Sequence, residues 1–223
     1  IYNVHLIHLH KRPARLGGLT RQLIQSGSAA GEERAEAPQN IDNEIQQRVS
    51  KRSSGLFDPE TKLDFLNLNS SINTIKKSEI ACSQSHLQLL FKIAKSNTKE
   101  PVLILEDDAN LSRNFYNRTV EILRIIPPSW EILNVGYCCE SMDICDIGEE
   151  QTIGYCKKKA GRMLTCMHAY FINGARVASL ILDKLNTPQA EIIDLKLHLA
   201  TPNYFMSRPK LAKQFPFPSD NGF

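Results

Sequence analysis

Apolar and polar positions follow one another along the chain in a pattern that predicts strands and helices in alternation. Residues 4–9 form a short apolar strand, and a helix can begin in residues 16–25. Further elements are predicted, in order, as a helix from Ser78, strands over residues 101–105 and 130–135 on either side of a helix over 115–126, a strand over 164–172, and helices over 174–185 and 192–199. Such alternation predicts an α/β fold with a mostly parallel, Rossmann-like central sheet covered by helices.

Two stretches interrupt this pattern. In residues 26–75 Gly, Ser, Ala, Glu, Gln and Arg dominate, so we expect loops with one short strand near residue 35 and a polar helix over residues 41–49. Residues 137–162 form a cysteine-rich excursion. We expect both to be excursions from a single domain that spans residues 1–223.

Composition narrows the class of protein. The chain has 223 residues, of which 42% are hydrophobic, and a net charge of +3, which excludes collagen, coiled coils and general disorder. Its basic residues are dispersed, so no nucleic-acid partner is expected. No apolar run approaches the ~20 residues that cross a bilayer, so no membrane span is expected.

Cysteine usage points to a compartment. Five of the six cysteines lie within residues 138–166 in a loop-rich stretch, without the C-x-x-C spacing of zinc sites. We therefore expect at least one disulfide there, which implies an oxidising environment. Sequons at Asn69, Asn110 and Asn117 fit a glycoprotein that is secreted or resides in the lumen of the secretory pathway, with a cytoplasmic location as the alternative.

Three carboxylates, Glu106, Asp107 and Asp108, directly follow the apolar strand at residues 101–105. Ligands bind at the carboxyl ends of strands in open α/β sheets, and adjacent negative charges favour a divalent cation with oxygen ligands. Because side chains alternate along a strand, Glu106 and Asp108 are expected to share one face and to bind the metal. The alternative is a solvated acidic turn in which Asp107 or Asp108 caps the next helix.

Two segments carry a resemblance to a known family. Residues 79–86 (EIACSQSH) and 102–111 (VLILEDDANL, with a DXD-like acidic block) resemble the signature of family 25 glycosyltransferases, which include bacterial lipooligosaccharide and collagen galactosyltransferases. Residues 6–16 (LIHLHKRPARL) resemble its opening strand and basic turn, although His8 and His10 replace the polar amide and acidic residues that are common there. Weaker likenesses continue to residue 220, whereas residues 26–75 show almost none.

The resemblance implies a GT-A-type fold and a metal-dependent transferase. Its substrate would be a UDP-sugar, from which a hexose, galactose or glucose, moves to an acceptor hydroxyl of a glycan, a lipid-linked saccharide or a protein, with inversion expected. Mn²⁺ or Mg²⁺ held by Asp108 would neutralise the charge that develops on the departing diphosphate. The alternative is a non-catalytic module that keeps the fold for binding or adhesion.

Several residues receive roles through this resemblance. Asp194 is the expected catalytic base, with Glu191 as its rival, although either carboxylate can instead lie on a helix surface. His198, one helical turn after Asp194, is a candidate third metal ligand. The residues expected to contact the nucleotide-sugar are Arg12, Arg15, Ser85, His86, Asp107 and Gln214.

Overall fold

A computed structural model describes residues 3–7, 13–23, 25, 77–138, 145–146, 154–159, 166–185 and 193–215. The chain divides into two units, and all of these residues belong to the one that comprises residues 1–29 and 75–223. The strand predicted near residue 35, the helix predicted over residues 41–49 and most of the cysteine-rich excursion lie outside the described residues. A single domain over residues 1–223 therefore stays a prediction.

Helices and strands alternate in the described residues. The helices are α1 (Pro13–Leu23), α2 (Lys77–Lys95), α3 (Phe115–Ile125), α4 (Gly174–Leu185) and α5 (Ile193–Ala200). The strands are β1 (Asn3–Ile7), β2 (Val102–Glu106), β3 (Ala109–Leu111), β4 (Ile132–Gly136), β5 (Cys145–Asp146), β6 (Tyr155–Lys158), β7 (Ala169–Ile172), β8 (Tyr204–Ser207) and β9 (Ala212–Gln214).

Seven of these strands form one sheet in the order β1-β2-β7-β4-β8-β6-β5. β1 and β4 pair in parallel with β2 and β8 respectively, whereas β7 pairs antiparallel with both β2 and β4. β6 is also antiparallel to its neighbours, so β1, β2, β4, β5 and β8 share one direction and only β6 and β7 are reversed. The mixed α/β class is confirmed, with the predicted shared direction in most strands.

Burial explains much of the agreement between the predicted and the observed helices and strands. β2, β4 and β7 are buried on both faces, which fits their largely apolar sequences. The buried polar residue of β4, Asn134, donates to the Tyr204 hydroxyl at 2.8 Å. Helix α2 turns Leu89 and Ile93 inward and leaves Phe91 38% exposed. Helix α1 begins at Pro13, because proline suits the first turn of a helix. None of the described helices has the length and apolarity to span a membrane.

The predicted acidic residues Glu106, Asp107 and Asp108 lie at one edge of the seven-stranded sheet, where β2 ends, which we call the carboxyl edge. There β1, β2, β4 and β8 end and β7 begins, because Ala169 at the start of β7 pairs with Leu105 and Gly136 near the ends of β2 and β4. A separate pair, β3 with β9, follows directly from β2 and places Gln214 opposite Ala109. Residues distant in sequence therefore meet beyond the end of β2.

Candidate active site

The predicted acidic residues lie at the carboxyl edge, where β2 ends. Glu106 closes the strand, and its backbone N–H donates to the carbonyl of His168 at 2.9 Å. Asp107 and Asp108 form a turn, so the strand alternation expected for the three side chains stops at Glu106. Asp107 is buried, while Glu106 and Asp108 are half-buried. Glu106 and Asp108, the preferred metal ligands, are thus the two of the three that reach the surface.

Asp108 is held from the β9 side. The side-chain amide of Gln214 donates to Asp108 Oδ2 at 2.8 Å, and the backbone N–H of Phe215 donates to the Asp108 carbonyl at 2.8 Å. The pairing of β3 with β9 brings these groups together across about a hundred residues of sequence. Gln214, which was predicted to contact the nucleotide-sugar, therefore fixes the orientation of a carboxylate in the site.

A buried chain of hydrogen bonds holds Glu106. The His86 ring has its Nε2 3.0 Å from Glu106 Oε1 and its Nδ1 2.8 Å from the Tyr170 hydroxyl, and it is fully buried. Burial, and then the charge of Glu106, raise the pKa of Tyr170, so the phenol keeps its proton. Burial alone raises the pKa of Glu106, but the hydrogen bond and charge of His86 outweigh it and lower that pKa. His86 Nε2 therefore carries its proton toward an ionised Glu106.

Cys82 lies one helical turn before His86, and its thiol donates to Glu106 Oε1 at 3.6 Å. Burial is the largest cause that raises the pKa of Cys82 above its ordinary range. The charges of Glu106, Asp194 and Asp108 raise it further, in that order. The thiol therefore stays protonated, and three carboxylates direct negative potential at one place.

The negative potential at this place raises the question of whether these residues can bind a divalent cation. Among the described residues, Cys82, His86 and Glu106 form a group whose ligand atoms lie within 4.8 Å of one another. A thiol and an imidazole suit a softer ion, but this thiol is protonated and both ring nitrogens of His86 are hydrogen-bonded. The half-buried carboxylates of Asp108 and Glu106 offer the oxygen atoms that Mg²⁺ and Mn²⁺ prefer. The chemistry of these carboxylates is compatible with a hard divalent cation, although the group of ligand atoms within 4.8 Å of one another includes Glu106 and not Asp108.

Asp194 reaches the same place from helix α5. The backbone N–H of Ile193 donates to Ser83 Oγ at 3.2 Å, which fixes the start of α5 against α2. Asp194 Oδ2 accepts from the backbone N–H of Cys166 at 3.0 Å. Burial, and then the charge of Glu106, raise the pKa of Asp194. A partly buried carboxylate with a raised pKa has the properties of a general base.

His198, the predicted third metal ligand, lies one turn further along α5 and is 5% exposed. Its ring packs against the Tyr204 ring with centroids 4.3 Å apart. The group of metal-capable atoms identified among the described residues does not include His198. A role for His198 at the metal stays a prediction.

Two residues of the candidate site were not predicted from the sequence: Tyr170 in β7 and His168, which directly precedes that strand. His168 is buried beside Gly136, where an added Cβ would lie 2.5 Å from His168 Nε2. Burial lowers the pKa of His168 more than the charge of Glu106 raises it, so the ring is neutral at pH 7. His168 and Tyr170 share one face of the strand, but only the pairing of β7 with β2 brings them to Glu106. For Cys82, the four-residue spacing to His86 was a signal that sequence reasoning could have used.

Other predicted residues lie outside what the structure describes. Arg12 and Glu191 are not among the described residues, and Arg15 lies in helix α1 with a side chain that is not described. Ser85 is half-buried in helix α2, next to His86. Their expected contacts with donor or acceptor stay predictions.

The cysteine-rich excursion is cross-linked, as predicted. Disulfides join Cys138 to Cys166 and Cys145 to Cys156, while Cys82 is the free cysteine within the described part of the chain. Cys139 lies outside that part. These two bonds are compatible with an extracellular or secretory-pathway location.

Two surface cavities lie elsewhere. One, of about 250 Å³, lies between helix α3 and the turn at Arg208, and the other, of about 570 Å³, lies beside Thr98 and Gly174. Neither is lined by the acidic residues of the carboxyl edge. The candidate site is thus defined by its polar contacts, and these two cavities form no part of it.

A comparison with known protein families gives a match that includes the acidic end of β2 and helix α2 beside it. Residues 3–148, more than half of the chain, match the model of glycosyltransferase family 25 (LPS biosynthesis protein). The chain belongs to glycosyltransferase family 25. Membership supports a glycosyltransferase activity, with a sugar donor and an acceptor as its partners.

The remaining comparisons add little. No curated protein matches the chain. Among solved structures it is similar to mouse xyloside xylosyltransferase 1 in its apo form, at 13% identity and a TM-score of 0.39, over 90% of this chain and 72% of that one. A likeness of that size carries no argument about mechanism.

Proposed function

We propose that the chain is a metal-dependent hexosyltransferase that moves a sugar, galactose or glucose, from a UDP-sugar to an acceptor hydroxyl. The observation that supports it best is that the charges of Glu106, Asp108 and Asp194 all act on Cys82, whose thiol donates to Glu106 at the end of β2. Three carboxylates close to one another are stabilised when a cation binds beside them. The proposed UDP-sugar substrate carries a diphosphate, and the cation would neutralise its negative charge.

The proposed roles follow from the contacts. Asp108, oriented by Gln214, binds Mn²⁺ or Mg²⁺, and Glu106 adds a second carboxylate whose position His86 and Cys82 fix. When bound, the metal supplies Lewis-acid stabilisation of the diphosphate leaving group. Because His86 is fully buried and engaged at both nitrogens, we propose that it acts through Glu106, without contacting the donor.

Asp194 is the proposed base. The acceptor oxygen forms a bond with the anomeric carbon while the bond from that carbon to the UDP oxygen breaks, and the acceptor proton passes to the Asp194 carboxylate. A base on the face opposite the leaving group gives inversion. Positioned bases of this kind contribute about 10²–10⁴-fold to rate. Arg12, Arg15, Ser85 and Asp107 remain the proposed contacts to the UDP part of the donor, and Glu191 the alternative base.

The two disulfides support a proposed location. We place the protein in the lumen of the secretory pathway or outside the cell, where the Cys138–Cys166 and Cys145–Cys156 bonds persist. Asn110 and Asn117 are exposed, so we expect their sequons to be partly glycosylated in the purified protein.

The test is the substitution Asp108→Asn. We expect a UDP-sugar screen with Mn²⁺ to show transfer by the natural chain, and the variant to lose both that transfer and the metal-linked heat of UDP binding in calorimetry. Asp183→Asn, an exposed carboxylate on helix α4, is the control and should change neither. Unaltered transfer by Asp108→Asn rejects the proposal. Metal-linked UDP binding without any transfer by the natural chain favours the non-catalytic module.

A further inference from the structure

One continuous set of contacts joins Asp108 to Asp194, and a disulfide lies at its centre. Asp194 Oδ2 accepts from the backbone N–H of Cys166 at 3.0 Å, and Cys166 is bonded to Cys138. The Cys138 sulfur lies 3.9 Å from Gln214 Oε1, and the amide nitrogen of Gln214 donates to Asp108 Oδ2 at 2.8 Å. Asp194 thus contacts one end of the cross-link directly, and Asp108 is linked to the other end through Gln214, which packs against the Cys138 sulfur without a hydrogen bond because a disulfide sulfur carries no proton.

The backbone around the disulfide explains why a cross-link is needed there. Cys138 follows β4 by two residues, and Cys166 precedes β7 by three, so the bond joins the two chain segments that flank the carboxyl edge. The residues between them form the cysteine-rich excursion, with a sequence separation of 28. Cys166 has a φ of 69°, a conformation that residues other than Gly rarely adopt. A residue held in that conformation needs support from its surroundings, and here its N–H is the group that points at Asp194.

The Cys138 side is held just as specifically. The hydroxyl of Tyr137 donates to the Ser207 carbonyl at 3.0 Å, and the Lys210 ammonium lies 4.9 Å from the centre of the Tyr137 ring. These contacts fix the backbone next to Cys138 against the end of β8. The disulfide therefore connects an anchored residue to Cys166, the residue three positions before β7 whose N–H donates to Asp194.

We propose that the Cys138–Cys166 disulfide is a positioning element, which holds Asp108 through Gln214 and Asp194 through the Cys166 N–H at a fixed separation. This inference rests on the proposed function, because it assigns the disulfide to the separation between the metal-binding carboxylate and the base. Reaction rates fall steeply when reacting groups move apart, by up to about a hundredfold for a displacement of 1 Å.

The second disulfide supplies a matched control. Cys145–Cys156 joins β5 to β6 at the far edge of the sheet order, and it lies within the same excursion. None of the hydrogen bonds described at the carboxyl edge involves Cys145 or Cys156. A disulfide that only stabilises the fold should behave the same at either place.

The experiment compares two double variants, Cys138→Ala with Cys166→Ala and Cys145→Ala with Cys156→Ala, because alanine adds no hydroxyl that could donate to Gln214 Oε1. Each is assayed well below its own melting temperature, so that the folded fraction is the same. We expect the first to lower kcat by about ten- to a hundredfold, with a KM for the UDP-sugar changed by less than about threefold, and the second to retain kcat. Equal losses in both, or no loss in the first, overturn the inference.

Gln214→Ala measures whether the contacts act together. In the natural chain this substitution releases Asp108, whereas in the Cys138→Ala, Cys166→Ala background that support is already weakened, so the loss of kcat should be smaller there. In the Cys145→Ala, Cys156→Ala background the loss should equal that in the natural chain. Equal losses in all three backgrounds contradict a connection through the disulfide.

Amide hydrogen exchange tests the positioning without any activity. Loss of Cys138–Cys166 should speed exchange in residues 166–168 and 212–215, and loss of Cys145–Cys156 should leave both segments unchanged. If the natural chain transfers no sugar, the proposed function fails and the exchange result still decides the positioning role. Unchanged exchange in both segments after loss of Cys138–Cys166 overturns it.

Discussion

His86 and Glu106 form a contact of 3.0 Å in which the imidazole is fully buried and the carboxylate side chain is 22% exposed. The imidazole thus occupies the protein side of Glu106, and only the opposite side of the carboxylate faces the site. Tyr170 fixes the far nitrogen of the ring. Glu106 consequently has one orientation before any ligand arrives, which is the preorganisation that an electrostatic site requires.

The first prediction concerns the stability that this contact supplies. His86→Leu leaves the Glu106 carboxylate without its partner and should lower the free energy of unfolding by about 3 kcal/mol at pH 7. Because the pKa of Glu106 is lowered by folding, its contribution is present above the ordinary value of 4.5 and is lost as the pH falls through the folded pKa. Urea unfolding of the variant and the natural chain should therefore differ most near neutral pH and less in acid.

Tyr170→Phe is the control for this measurement. It removes only the hydroxyl that donates to His86 and should cost about 1–2 kcal/mol, because one ring nitrogen is left buried without a donor. A loss in His86→Leu no larger than that in Tyr170→Phe contradicts a stabilising role for the pair with Glu106.

The second prediction concerns the pH dependence of Asp194. The pKa of Asp194 is raised from its ordinary value of 3.8, first by burial and then by Glu106, while the pKa of Glu106 is lowered. As the proposed base, Asp194 must be ionised, so kcat should fall on acidification through the raised pKa of Asp194, at a pH where Glu106 is still charged. A pH profile of kcat whose acid limb lies at or below pH 3.8 contradicts this assignment.

Asp194→Asn separates catalysis from stability. A raised pKa in the folded state means that the charged form destabilises the fold as the pH rises, so the neutral amide should make the chain more stable than the natural one at pH 7. Its oxygen can still accept from the Cys166 N–H. We expect kcat to fall by about 10²–10⁴-fold in the same variant. The stability gain should disappear below pH 3.8, where both states bind the proton.

Some elements of the fold were predictable because local signals coincide with burial. The apolar run of β2 predicted a buried strand, which the structure confirms, while the ligand site predicted at the three carboxylates that follow it stays a prediction. Helix α4 has the predicted bounds of residues 174–185. Its start at Gly174, with a φ of 74°, suits the residue that most readily adopts such a conformation, and its apolar positions follow one helical face.

The remaining contacts depend on pairing between distant segments, which no local pattern encodes. Insertion of β7 between β2 and β4 brings Tyr170 and His168 to Glu106, and the β3–β9 pair brings Gln214 to Asp108. Five clustered cysteines also allow many pairings, so a disulfide was predictable and its partners were not. Asp194 was assigned by resemblance, and its placement against Cys166 needed the fold.

The third prediction tests how closely His168 packs at the end of β4. Gly136→Ala adds a Cβ 2.5 Å from His168 Nε2, so the ring must move, and we expect a loss of about 1–3 kcal/mol in the free energy of unfolding. Gly18→Ala is the control, since nothing lies within 4 Å of an added Cβ in helix α1, and it should stabilise by about 0.5–1 kcal/mol. Thermal unfolding of both variants checks the opposite signs. Equal effects from the two substitutions contradict close packing at Gly136.

The fourth prediction concerns the chemical reactivity of Cys82. The thiol is half-buried, and burial together with Glu106, Asp194 and Asp108 raises its pKa. The thiolate is the form that attacks alkylating reagents, so with metal removed by a chelator Cys82 should react with iodoacetamide at pH 8 at least about a hundredfold more slowly in the folded chain than after unfolding. Peptide mapping distinguishes Cys82 from Cys139. Glu106→Gln removes the nearest of these charges and should speed the reaction in the folded state, by less than unfolding does, because burial is the larger cause. Rapid alkylation of Cys82 in the folded natural chain contradicts the convergence of carboxylates on which the proposed metal site depends.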